Sequence, residues 1–133
     1  MLIDSSAFVS MILGEDDAAQ LSAALEKTHS IYVTPIVIYE TAMAVARARV
    51  MSLEQATEIV QKFCKALNAH CISMNDEMAV EALAAAARFG KGRHKASLNM
   101  GDCFSYAAAK LLAVPLLFKG DDFSFTDIHA ALV

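Results

Sequence analysis

Long apolar runs are missing from this 133-residue chain. Its hydrophobic stretches are broken by Glu, Arg, Lys or Gly well short of the ~20 residues that a membrane-spanning helix needs. The N-terminal Met-Leu-Ile-Asp4 puts a carboxylate where a secretion signal would need apolar residues. The expectation is a cytoplasmic protein that does not enter a membrane. Cysteine pairing is missing too. Cys64, Cys71 and Cys103 are odd in number, sit in apolar surroundings and lack the close spacing of a redox or zinc motif, so they read as core thiols. Cations are scarce, with 11 Lys and Arg against 15 Asp and Glu and a net charge of −4. That balance argues against a general nucleic-acid coat, whose grip on phosphate rests on Lys and Arg. It leaves room for a nucleic-acid enzyme, because a carboxylate cluster that binds divalent cations carries formal charge which the metal largely cancels. No repeat, low-complexity segment or linker interrupts the chain, and its length fits a single domain over residues 1–133. With 20% charged and 56% hydrophobic residues, disorder is excluded.

Short apolar segments alternate with helical patterns. Leu2-Ile3 predicts a strand, followed by a helix from Ser5-Ser6 to about Leu13 that Gly14 stops. Asp16 or Asp17 caps the next helix, and Ile31–Val33 makes a second strand. Thr34-Pro35 opens a third helix to about Val50, with Ile36, Tyr39, Met43, Ala46 and Val50 as its inward stripe and Glu40 beside it. Ser52-Leu-Glu-Gln55 is a capping-box start to a helix reaching about Asn68. Cys71–Met74 reads as a strand, and Asn75 caps an Ala-rich helix that Gly90 ends. Asn99 caps a helix carrying Cys103, Phe104, Ala107, Ala108, Leu111 and Leu112, Pro115–Phe118 is the last clear strand, and the tail through Ile128 to Val133 adds a further short one. Strand-helix alternation predicts right-handed crossovers and a parallel sheet covered on both faces.

In such sheets, sites collect at the C-terminal edge where strand order reverses. Asp4 and the Asp121-Asp122 pair follow directly after strands, while Asp102 and Glu40 belong to helices packed on the sheet. Each acid has a plain structural use: a cap for Asp4 or Asp102, a turn for Gly-Asp121-Asp122, an ion pair with Arg47 for Glu40. Together they suggest more, because buried carboxylates without cations are costly and a hard metal offsets that cost. Without His or Cys ligands, the fitting ions are Mg²⁺ or Mn²⁺. Two such ions about 4 Å apart can activate water for in-line attack on a phosphodiester.

Leu-Ile-Asp4-Ser-Ser-Ala-Phe, Tyr39-Glu40-Thr41, Gly101-Asp102-Cys103-Phe104 and Leu-Phe-Lys-Gly-Asp-Asp-Phe-Ser-Phe-Thr-Asp127, in this order over essentially the whole chain, resemble a PIN-domain ribonuclease of the VapC toxin type. The resemblance implies a three-layer α/β/α sandwich with a short parallel sheet, cutting single-stranded or loop RNA with Mg²⁺ or Mn²⁺. It also implies a homodimer silenced by a VapB-type antitoxin whose C-terminal segment covers the pocket. Position by position, Asp4 and Asp102 match the metal-holding aspartates, Glu40 the helix acid, and Ser6 the hydroxyl that supports the first carboxylate. One position departs. Many relatives carry an acid three residues before Phe123, where this chain has Gly120, so Asp122 or Asp121 is expected to take that place, with Asp122 favoured and Asp121 supporting it.

Arg88, Lys91, Arg93, His94 and Lys95 crowd a loop just before Asp102, and Lys91, Arg93 and Lys95 are candidates for touching RNA phosphates. Two other functions compete. A phospho-acceptor receiver would explain Asp4 and Lys119, but it needs an acidic pair after the first strand and an Asp after the third, where Ser73-Met74-Asn75 stands. A catalytically inactive PIN-like binding module predicts no effect of Asp4→Asn on any activity.

Overall fold

The computed structural model describes residues 1–132. The chain runs β1 (Leu2–Ile3), α1 (Ser5–Leu13), α2 (Ala18–Glu26), β2 (Tyr32–Val33), α3 (Pro35–Arg49), α4 (Leu53–Ala66), β3 (His70–Cys71), α5 (Asp76–Phe89), α6 (Met100–Leu112), β4 (Leu116–Leu117) and a 3₁₀ turn, η1 (Asp122–Phe125). The strands pair in parallel in the order β3-β2-β1-β4, with Leu2 opposite both Tyr32 and Leu116. Strand order reverses at β1, so the switch point lies between the C-terminal ends of β1 and β4.

Strand pleating splits the core into two layers. Ile3, Val33 and Leu117 point into a cluster with α1–α4, including Phe8, Leu21, Val37, Val45 and Val60. Leu2 and Leu116 point the opposite way, into a cluster with α5 and α6 that holds Met78, Phe89, Tyr106 and Phe123. The result is the α/β/α sandwich expected from the alternation. Caps form at the predicted residues: Thr34 accepts the Val37 N–H at 3.1 Å, Asn75 that of Met78 at 3.0 Å, and Ser52 and Gln55 close a capping box.

Several details differ from the sequence reading. The buried face of α3 is Val37, Thr41, Ala42, Val45 and Ala46; of the expected stripe only Ala46 is on it, while Tyr39 is 67% and Val50 92% exposed. Leu111 and Leu112 are exposed at the end of α6, which instead buries Ser105, Tyr106 and Ala109. β3 begins earlier than expected, at His70, and leaves Cys71 exposed; Cys64 is half-buried and only Cys103 is a core thiol. The tail adds a single parallel bridge, Leu116 to Ala130, rather than a strand. Asp17 begins α2 without a side-chain cap, because its carboxylate accepts from the buried Ser10 hydroxyl.

Candidate active site

At the end of β1 the chain turns directly into α1, and Asp4 is the hinge. Its Oδ2 caps α1, accepting the Ser6 N–H at 3.0 Å and the Ser6 hydroxyl at 2.6 Å. The Ser6 oxygen accepts in turn from the Lys119 N–H, 3.0 Å away just past β4. One relay therefore ties both sides of the switch point to one carboxylate. Asp4 is 1% exposed, and its Oδ1 has no hydrogen-bond partner among the described residues.

Asp102 comes in from α6. Asn99 and Asp102 form a capping box, the Asn99 Oδ1 accepting the Asp102 N–H at 2.9 Å and the Asp102 Oδ2 accepting the Asn99 N–H at 3.0 Å. Burial pushes the Asp102 carboxyl up to about 6; the Asn99 N–H works against that, and the charges of Asp4, Asp122 and Glu40 add to it. Glu40 projects from the middle of α3 onto α6. Its carboxyl is raised by burial first and by the charge of Asp4 second, with a Ser5 hydrogen bond opposing. The seat for Glu40 is Gly101, which is buried: a Cβ there would stand 2.6 Å from the Glu40 carboxyl carbon and closer still to its oxygens. The Gly101-Asp102 pair thus admits one acid and supplies the next.

Asp4, Ser6, Glu40, Asp102 and Asp122 line one open cleft of about 530 Å³, as the sequence reading expected. Asp121 does not line it and makes no side-chain cap to η1. Lys91, Arg93 and Lys95 lie on an exposed turn and are not among the residues lining the cleft. Ser5, Glu15, Asn99 and Lys119 also line the cleft and were not singled out for it beforehand. Lys119 is the one cation among the described lining residues, and it is already engaged: its ammonium pairs with Glu15, itself on the cleft wall, and, at 3.4 Å, with Asp17. Among the described residues Asp4, Glu40, Asp102 and Asp122 form no ion pair with a Lys or Arg.

These residues fit a hard divalent cation. The buried Asp4 Oδ1 is a carboxyl oxygen without a hydrogen-bond partner among the described residues, an arrangement that is costly unless a ligand such as a cation answers it. Among the described residues no three Asp, Glu, His or Cys side chains form a ready-made cage. A pair of aspartates completed by water would suit Mg²⁺ more than a metal needing four protein ligands.

Residues 1–128 match the PIN domain family. The chain is 40% identical over 128 residues to the VapC ribonuclease Mb0640 of Mycobacterium bovis and to ribonuclease VapC30 of Mycobacterium tuberculosis, covering 96% of this chain and 95% of each relative. It is 36% identical to the VapC ribonuclease R02377 of Rhizobium meliloti over 95% of this chain and 97% of that protein. Its fold is similar to that in a toxin-antitoxin complex from Klebsiella pneumoniae, with a TM-score of 0.68 at 18% identity over 95% of this chain and 92% of that one. The sheet order, the acids at its switch point and these likenesses lead to one assignment: the chain belongs to the PIN domain family.

Proposed function

We propose that this protein is a Mg²⁺- or Mn²⁺-dependent endoribonuclease acting as the toxin of a toxin–antitoxin pair. The reading rests first on the buried Asp4 carboxyl, whose Oδ2 is held by Ser6 and whose Oδ1 meets no hydrogen-bond donor among the described residues. The names of its VapC ribonuclease relatives support RNA as substrate. A divalent ion bound here would supply Lewis-acid activation of water and charge neutralisation at the scissile phosphate. Asp4 and Asp102 would hold it. Glu40, with its raised pKa and its place in the same cleft, orients the attacking water and takes its proton. Asp122 completes the acidic rim. The working form is a homodimer held silent by a VapB-type antitoxin.

The test is expression in a bacterium with and without a neighbouring antitoxin gene, paired with digestion of total RNA in Mn²⁺ or EDTA. Growth arrest and cleavage that vanish with Asp4→Asn or Asp102→Asn support the proposal. Toxicity indifferent to both substitutions would refute metal-dependent hydrolysis, and a folded wild type that cuts nothing would leave the binding-module reading in its place.

A further inference from the structure

The turn that delivers Asp122 to the cleft carries an aromatic ring that the fold does not use. Phe123 is buried and packs on Phe118, their ring centroids 5.1 Å apart, whereas Phe125 is 44% exposed. In a 3₁₀ turn, side chains three residues apart eclipse. Phe125 therefore stands on the same side of η1 as Asp122, about 6 Å further along the turn axis.

The ring is not alone. The Lys95 ammonium lies 4.8 Å from its centroid. Lys95 belongs to a turn that is firmly held: Gly90 and Leu98 bridge in parallel, the Leu98 N–H donates to the Phe89 carbonyl at 3.0 Å, and the His94 Nδ1 accepts the Ala96 N–H at 3.0 Å. Ala96 and Leu98 anchor it in the core. Two segments far apart in sequence thus bring an exposed ring and an exposed cation together on the turn that carries the cleft residue Asp122.

We propose that Phe125 and Lys95 form a nucleotide subsite flanking the cleft, in which an unpaired base stacks on the Phe125 ring and Lys95 engages the adjoining phosphate. Aromatic rings are the usual platform for splayed bases of single-stranded RNA, and a neighbouring cation adds a salt-sensitive backbone contact. A base held in a duplex cannot stack this way, so the subsite selects single-stranded or loop RNA. This inference rests on the ribonuclease reading and gives it a substrate-positioning element that the four acids lack.

The chain contains no tryptophan, so Phe125→Trp installs a single fluorescent reporter at the subsite. The probe is a single-stranded RNA of randomised sequence, about 12 nucleotides long, titrated in EDTA so that it is bound but not cut. The expected results are quenching of the indole, near-wild-type affinity for Phe125→Trp, and about tenfold weaker binding for both Phe125→Ala and Phe125→Leu. Lys95→Gln lowers the slope of log affinity against log salt by about one. Phe125→Ala and Phe125→Leu variants that bind like wild type, or an indole untouched by RNA, overturn the subsite. Cleavage of the same RNA in Mn²⁺ separates the two claims. Asp4-dependent cutting with normal binding by the Phe125 variants removes only the subsite; loss of binding in Phe125→Ala when wild type cuts no RNA removes only the nuclease reading.

Discussion

Asp102→Asn should make the metal-free protein more stable at neutral pH. The native carboxyl titrates at about 6 against an ordinary 3.8, raised by burial and then by Asp4, Asp122 and Glu40. A carboxyl whose native pKa lies above its unfolded value binds its proton more tightly when folded, so ionising it weakens the fold. Below pH 3.8 both states are protonated and nothing is lost; the loss grows as pH rises to about 6 and is constant above that. At ~1.4 kcal/mol per pH unit the full gap corresponds to about 3 kcal/mol. Water reaches this half-buried group and screens it, which brings the expected effect to about 1–2 kcal/mol. Asn removes the charge while its Oδ1 can still accept the Asn99 N–H, so the capping box survives. Urea unfolding of both proteins in EDTA, from about pH 4 to about pH 8, reads the difference directly, and acid effects of other carboxylates cancel in it. A variant no more stable than wild type at neutral pH, or a gain that fails to shrink towards acid, would refute the reasoning.

Gly101→Ala carries a reversal of sign. Alanine in a helix is normally more stable than glycine by ~0.5–1 kcal/mol, but here its Cβ meets the Glu40 carboxylate, so a loss of about 1–3 kcal/mol is expected. In a Glu40→Ala background the same change should turn favourable, and additive effects in thermal unfolding would mean the contact is unimportant. Mn²⁺ at ~100 times its dissociation constant should raise the wild-type melting temperature by about 10 °C and that of Asp4→Asn far less. An equal rise in both would locate the ion elsewhere.

Elements with chemical punctuation were legible. Thr34-Pro35, Ser52 with Gln55, Asn75 and Asn99 each declare a helix start by a donor-acceptor match between neighbours, and each cap forms as read. The rotation of α3 was not legible. Ile36, Val37, Ile38, Tyr39, Ala42, Met43, Ala44 and Val45 are apolar nearly all the way round, so periodicity alone gives no phase. The phase follows from a long-range condition, that Glu40 meet the bare backbone of Gly101, and no local pattern around Glu40 records it. Two-residue strands fail for a related reason. An alternation of one step cannot tell a covered strand from an edge, and β3 lies at the edge, where Cys71 meets solvent.

The acids show why weighing a capping role against a chemical one understates what a carboxylate can do. Asp4 is a helix cap and so is part of local folding, yet only Oδ2 takes part. Asp102 closes its capping box with Oδ2 as well. A carboxylate has two oxygens, and a cap engages one while fixing the direction of the other. The same hydrogen bonds that make α1 and α6 begin where they do leave one oxygen of each carboxylate outside the cap, on side chains that line the cleft. Local helix chemistry therefore preorganises the site, and the cap is the means by which the chain sets a carboxyl oxygen of Asp4 where it meets no hydrogen-bond donor among the described residues.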